Sequence, residues 1–218
     1  MTGEPVEGMT SLLPTAAPWE RRLDAVSVVE RSLSPKMAIL DAAIRLFCRD
    51  GIGATGIDAV VREAGVARMT IYNHFGSKDG LVVAALERES AAWRTWFFAR
   101  LAALQLPPRE KLLAVFDILT EWFERDDYFG CALMNAVLEV RNNSEALMAV
   151  TMAHKKPVLE QLRAIAVAAG VRDPFRFTEQ FDLIMNGAIV NALFTGSTNP
   201  AQDAKSVVAA LIDTQIQA

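Results

Sequence analysis

The chain has too few cysteines for a disulfide framework: Cys48 and Cys131 are its only two, and no CxxC pair is present to hold a metal. No basic segment followed by an apolar one opens the sequence, so a secretory leader is not expected. No run of about 18 uncharged apolar residues exists, so no membrane span is expected and the cytoplasm is the expected compartment. Positive charge is not in excess either. Lys and Arg number 22 against 26 Asp and Glu, a net charge of -4. No internal repeat, P-loop or nucleophile elbow is present, and no stretch of β-branched residues between turns competes as a strand.

What the sequence does have is apolar residues, 52% of the total, with 22% charged. That composition excludes a disordered chain and supplies a sizeable core. Charge is unevenly spread. Residues 36–80 carry six basic and five acidic side chains and are the only segment that is not acidic, so contact with DNA would rest on a few placed groups.

Helical spacing runs through nearly the whole chain, and glycine and proline divide it. Residues 1–35 are expected to be a flexible arm, or to include one short extra helix carrying Trp19, Leu23, Val26, Val29 and Leu33. The first helix then starts at Ser34–Pro35 and ends at Gly51. A second opens at Thr55 as its N-cap and ends at Gly65, and a third covers about 67–75 and closes at Gly76. A long fourth helix follows Ser77 and stops before Pro107–Pro108. Five more are expected, over about 109–124, 131–141, 144–169, 174–195 and 201–216. The fold class is all-α: a three-helix unit over 36–80, then a larger helical unit over 81–218.

The segment "EAGVARMTIYNHFGSKDG", Glu63 to Gly80, is polar where its neighbours are apolar. Two short helices joined by a tight glycine turn and braced by a third make a helix-turn-helix. Ile57, Val60, Val61, Val66 and Ile71 are expected to pack on Ile39, Leu40, Ala43 and Phe47. The third helix then turns Arg68, Met69, Thr70, Asn73 and His74 outward. Thr70 suits a base edge and Met69 a thymine methyl. Tyr72 and His74 suit phosphate oxygens, as do Lys36, Thr55 and Lys78 at helix starts, where free N–H groups add attraction. The plainer alternatives are packing for Tyr72 and a local cap for His74.

The run from Ile39 to Val82 resembles the N-terminal domain of the TetR family of bacterial transcriptional regulators. The resemblance lies in Ala43 and Phe47, Gly51, Thr55, the Ala64–Gly65–Val66 turn, Thr70, Tyr72, His74–Phe75, Ser77–Lys78 and Leu81. It covers about a fifth of the chain and is specific as a combination. It implies an all-helical homodimer that binds palindromic double-stranded operator DNA, and a variable body whose small-molecule effector relieves repression. Met69, Gly56 and Asn73 depart from the family pattern and leave the operator sequence open.

In the body, Trp96, Phe116, Trp122, Phe123, Met134 and Met148 are candidates to line a largely apolar effector cavity, with core packing as the alternative. Asn135, Glu139, Arg141 and His154 are the polar groups able to orient a ligand. "GCALMNAVLEV" is similar to a segment of one branch of the family, with Gly130–Cys131 opening the sixth helix. Cys131 and His154 lack a third orienting residue for nucleophilic catalysis, so no enzyme, cofactor or metal is expected. A thiol at a helix N-terminus can sense oxidants, though a buried inert thiol is the plainer reading. Phe181, Ile184, Met185, Ala188, Ala192, Val208, Leu211 and Ile212 form apolar stripes on the last two helices and are the expected dimer interface, with closure of the monomer as the alternative. The competing function is a helical enzyme or small-molecule-binding protein that keeps a vestigial DNA-binding head.

Overall fold

The computed structural model describes residues 34–140 and 144–216. The arm expected up to residue 33 and the candidate Arg141 lie outside the described residues. Among the described residues the regular elements are all helices, as the all-α reading requires. They are α1 (Pro35–Asp50), α2 (Ile57–Ala64), α3 (Arg68–Phe75), α4 (Lys78–Ala103), α5 (Pro108–Phe123), α6 (Ala132–Val140), α7 (Glu145–Ala168), α8 (Pro174–Thr195) and α9 (Asn199–Gln215). None is long and apolar enough to cross a membrane.

Prolines sit at the starts of α1, α5, α8 and α9, where their missing N–H would have no helical partner anyway. Side chains cap two other starts and share the work at α8: Ser77 Oγ accepts from Gly80 N, Ser144 Oγ from Leu147 N, and at α8 Asp173 from Arg176 N. The second helix begins one residue later than the sequence suggests. Gly56 is its N-cap, and Thr55 lies in the preceding loop with its side chain turned inward.

Two cores organise the molecule, and α4 passes through both. Its first turns give Leu81, Val82, Ala85 and Leu86 to a head core with Ile39, Ala43, Phe47, Val60 and Ile71. Its later turns give Trp93, Trp96, Phe97 and Leu101 to the body core with α5, α7, α8 and α9. The head core extends into the body, because Leu133 and Ala136 of α6 and Leu147 and Val150 of α7 join it. A rigid helix shared between two cores, with a second contact through α6, ties the position of the head to that of the body.

The aromatic residues expected around a cavity pack mostly against each other and their neighbours. Trp93 stacks on Phe97 at 4.8 Å and meets Trp122 edge-on at 5.4 Å, while Phe116 lies 5.2 Å from Phe181. Trp96, Phe116, Trp122 and Phe123 are all buried in the body core.

The expected dimer stripe also faces inward. Phe181, Met185, Ala188, Ala192, Val208 and Ile212 are buried within the chain's own core, and Ile184 and Leu211 pack partly buried against it. The outward face of the same two helices is apolar too: Leu183 is 74% exposed, Phe194 78% and Val207 54%. Leu183, Gly187, Val190 and Phe194 share this face by their spacing of three and four.

Candidate nucleic-acid interface

The turn between α2 and α3 is made by Gly65, whose φ of 65° is left-handed and suits a residue without Cβ. The Gly65 and Val66 amides both donate to Val61 O, at 3.0 and 3.3 Å, which closes α2 and directs the chain into α3. α3 is eight residues long and buries one of them, Ile71, which is 0% exposed. Ile71, with Phe75 one turn later and Tyr72 packed partly buried on the same core, sets the rotation of the helix, so the remaining positions are turned away from the core.

Met69 is 64% exposed, and Arg68, Asn73 and His74 are also exposed. Thr70 and Tyr72 are half-buried at the edges of this face. Arg68 is held from two sides: its Nη1 lies 3.2 Å from Asp58 of α2, and its guanidinium sits 5.9 Å from the Tyr72 ring centre. The hydrogen bond to Tyr72, then the Asp58 charge, raises its pKa further above neutrality. Lys78 stands at the first position of α4, a 26-residue helix whose dipole favours an anion there. Lys36 is exposed in the first turn of α1.

Thr55 is not on this surface. It is 3% exposed, and its hydroxyl donates to Gly51 O at 2.7 Å, with Leu46 O at 3.3 Å. It braces the loop between α1 and α2 from inside, which leaves no free hydroxyl for a phosphate.

The loop that Thr55 braces is also gripped by the body. The Glu139 carboxylate, in the last turns of α6, accepts from Ile52 N at 2.9 Å and from Gly53 N. Beside it lies a small cavity of about 70 Å³ lined by Phe47, Cys48, Gly51, Ile52, Leu86, Ala132, Asn135, Ala136 and Glu139. Asn135 is therefore placed at the head–body contact, where its amide donates to Phe129 O at 2.8 Å. Met134 is partly buried against the body core, and Met148 is half-buried on α7.

His154 lies elsewhere, between α7 and α4. Its Nδ1 is 3.1 Å from Ser90 Oγ, and its ring is 5.2 Å from that of Trp93. Arg94 donates to the same Ser90 oxygen. Burial, then the Arg94 and Lys155 charges, holds the imidazole down at about 4. It is therefore neutral in the folded chain, whereas in the unfolded chain it takes a proton below about 6.5. The unfolded state then binds more protons between these two values, so this residue costs stability as pH falls from about 6.5 towards 4 and nothing above that range. The expected loss is roughly 3 kcal/mol by the low end. Urea unfolding at pH 7.5 and 4.5 should show a smaller pH difference in His154→Gln than in the unsubstituted protein.

The thiols do not have the character of sensors. Burial, then the charge of Glu89, pushes Cys48 up to about 12, and burial raises Cys131 as well. Both are held protonated, the reverse of what a thiol that senses oxidants needs. Among the described residues no group of three His, Cys, Asp or Glu side chains is placed to hold a metal ion.

Residues 39–85 match the family described as bacterial regulatory proteins, tetR family. An uncharacterised HTH-type transcriptional regulator of Mycobacterium tuberculosis is 33% identical over 75 residues, 34% of this chain and 37% of that protein. The chain thus matches little more than a third of the length of this curated relative. Similarity of fold reaches much further. A TetR-family transcriptional regulator from Streptomyces coelicolor superposes with a TM-score of 0.77 at 22% identity, over 84% of this chain and 96% of that one. A Streptomyces avermitilis protein of known structure gives 0.71 at 28% identity, over 83% and 98%. With a helix-turn-helix head that matches the tetR family and a helical body that superposes on solved members, the chain has the fold and domain architecture of a TetR/AcrR-family transcriptional regulator.

Proposed function

We propose that the protein is a ligand-responsive transcriptional regulator, a repressor that binds palindromic operator DNA as a homodimer and leaves it when a small molecule binds the body. The DNA-binding unit is residues 36–80, and residues 81–218 bind effector and partner. The observation that carries this reading is the exposure of α3: a helix that buries Ile71 and packs Tyr72 and Phe75 on the head core keeps Arg68, Met69, Asn73 and His74 at the surface, beside the positive end of α4. Met69 and Thr70 read base edges, and Arg68 and Asn73 flank them in the groove. Tyr72, His74, Lys36 and Lys78 hold phosphates. The apolar outer face of α8 and α9 supplies the two-fold contact that sets two copies of α3 on successive half-sites.

Selection of bound duplexes from a random pool tests this directly. The expected result is an inverted repeat whose affinity falls steeply with salt. Lys78→Ala should weaken all duplexes alike and lower the salt slope by about one. Thr70→Ala should weaken the selected site about tenfold and relax preference at one base pair. A protein with no salt-sensitive preference for any duplex would instead fit the alternative of a helical binding protein with a vestigial head.

A further inference from the structure

Between α4 and α7 runs an open groove of about 400 Å³, lined by Val83, Glu87, Ser90 and Arg94 on one side and by Ala146, Ala149, Val150 and Ala153 on the other. We propose that this groove binds a small monocarboxylic acid with an unbranched apolar chain, its carboxylate on Arg94 and its chain along the alanines.

Arg94 is the reason for the acid. On the same helix Arg88 is paired with Asp41 and Arg100 with Glu121. Arg94 has no carboxylate partner among the described residues, and its contact is a neutral one, to Ser90 Oγ. Ser90 is itself buried and held by His154, so the arginine is fixed from behind by a polar relay: Arg94 donates to Ser90 Oγ, and that hydroxyl is hydrogen-bonded to His154 Nδ1. A guanidinium has five donors, and this relay engages one nitrogen, so a forked pair of bonds to a carboxylate remains open. A half-buried arginine oriented in advance but uncompensated favours an anion.

The other wall gives the rest of the ligand. Ala146, Ala149 and Ala153 face one way at spacings of three and four, and their small side chains leave a shallow bed. Its seven-residue span is about 10 Å, the length of roughly eight methylenes. Glu87 gives the limit. It lines the groove two helical turns before Arg94, about 10 Å along the axis, and repels a second carboxylate at the far end. The groove therefore selects against dicarboxylates of matching length.

This deepens the effector half of the proposed function and rests on it, but binding is measured on DNA-free protein, so the two fail separately. Titration calorimetry of the full chain uses octanoate, methyl octanoate and octanedioate. Octanoate is expected to bind about 10- to 100-fold more tightly than its ester, and more tightly than octanedioate. Arg94→Gln should remove that preference for the acid, and Glu87→Gln should remove the penalty on the diacid. Ala149→Leu, which fills the groove from an exposed position and leaves the arginine intact, should abolish binding with helical content unchanged. No saturable binding of octanoate below the concentration at which it forms micelles would overturn the proposal. So would octanoate binding that is unaltered in a folded Arg94→Gln or Ala149→Leu protein.

Discussion

Phe194→Asp should leave the chain folded and make it monomeric, and together with Leu183→Asp it should weaken binding to a palindromic operator about 100-fold or more. Both side chains stand on the outer face of α8, 78% and 74% exposed in the single chain. Burying a Phe or Leu in a partner is worth about 1.5–3 kcal/mol each. In a two-fold interface every substitution enters twice, and each new carboxylate is buried without a partner. Together these raise the dimer dissociation constant by about 1000-fold or more, into a range where the protein sediments as a monomer. A monomer holds one half-site at a time and loses the local concentration that a linked second head provides. Phe181→Asp is the control of opposite kind. That side chain is 0% exposed and packs 5.2 Å from Phe116 and 6.0 Å from Phe177, so a charge there should unfold the body rather than separate two copies. Sedimentation equilibrium with circular dichroism separates the two outcomes. A Phe194→Asp, Leu183→Asp protein that remained a dimer with unchanged operator affinity would place the interface elsewhere.

The same two helices show where the sequence stops being informative. Their positions were legible, because Pro174 and Gly196 bound α8 and the turn ending at Pro200 starts α9. Their orientation was not. α8 is apolar on both sides, with Phe181, Met185, Ala188 and Ala192 on one and Leu183, Gly187, Val190 and Phe194 on the other. A periodicity of 3.6 identifies a helix but cannot choose between two apolar faces. The head was easier, since the core-facing residues of α3, Ile71 and Phe75, stand one turn apart among mostly polar neighbours and fix its rotation. Thr55 was misplaced for a local reason. A threonine before a helix can cap it or brace the loop behind it, and here Gly56 takes the N-cap position while the Thr55 hydroxyl reaches back to Gly51 O. The aromatic residues of the body were equally ambiguous, because Trp and Phe serve a closed core and a cavity wall alike. The groove beside α4 depends on Ser90 and His154 meeting across 64 positions, which no spacing rule reports. Its signal in the sequence was Arg94 one turn after Ser90, but nothing in the sequence says that this arginine lacks an acid.

Glu139→Ala should break the link between body and head while leaving both folded. The carboxylate lies in the last turns of α6, where the helix dipole disfavours a negative charge, and it is bound there by two successive amides of the loop between α1 and α2. Hydrogen bonds to a charged group contribute about 1.5–3 kcal/mol, and at this partly exposed site the lower end applies. Space is tight at Gly53: a Cβ there would stand 2.8 Å from Glu139 Oε1, so the carboxylate would have to shift from its place on the two amides. Gly53→Ala should therefore break the same link from the opposite side. Each variant should speed hydrogen exchange at the Ile52 and Gly53 amides by about tenfold, with the amides of α5 unchanged. The double variant should be no faster than either single one, since two changes to one interaction do not add. The larger effect lies in regulation. A ligand commonly changes a second site's affinity by about 5- to 150-fold. With the carboxylate gone, a compound that releases the unsubstituted protein from its operator should change the affinity of Glu139→Ala by less than about threefold, because movement of α6 no longer carries the α1–α2 loop with it. Operator binding in the absence of that compound should change little, since α3 and its anchor Ile71 are untouched. Full release of Glu139→Ala by the same compound would show that the shared helix α4 alone transmits the signal.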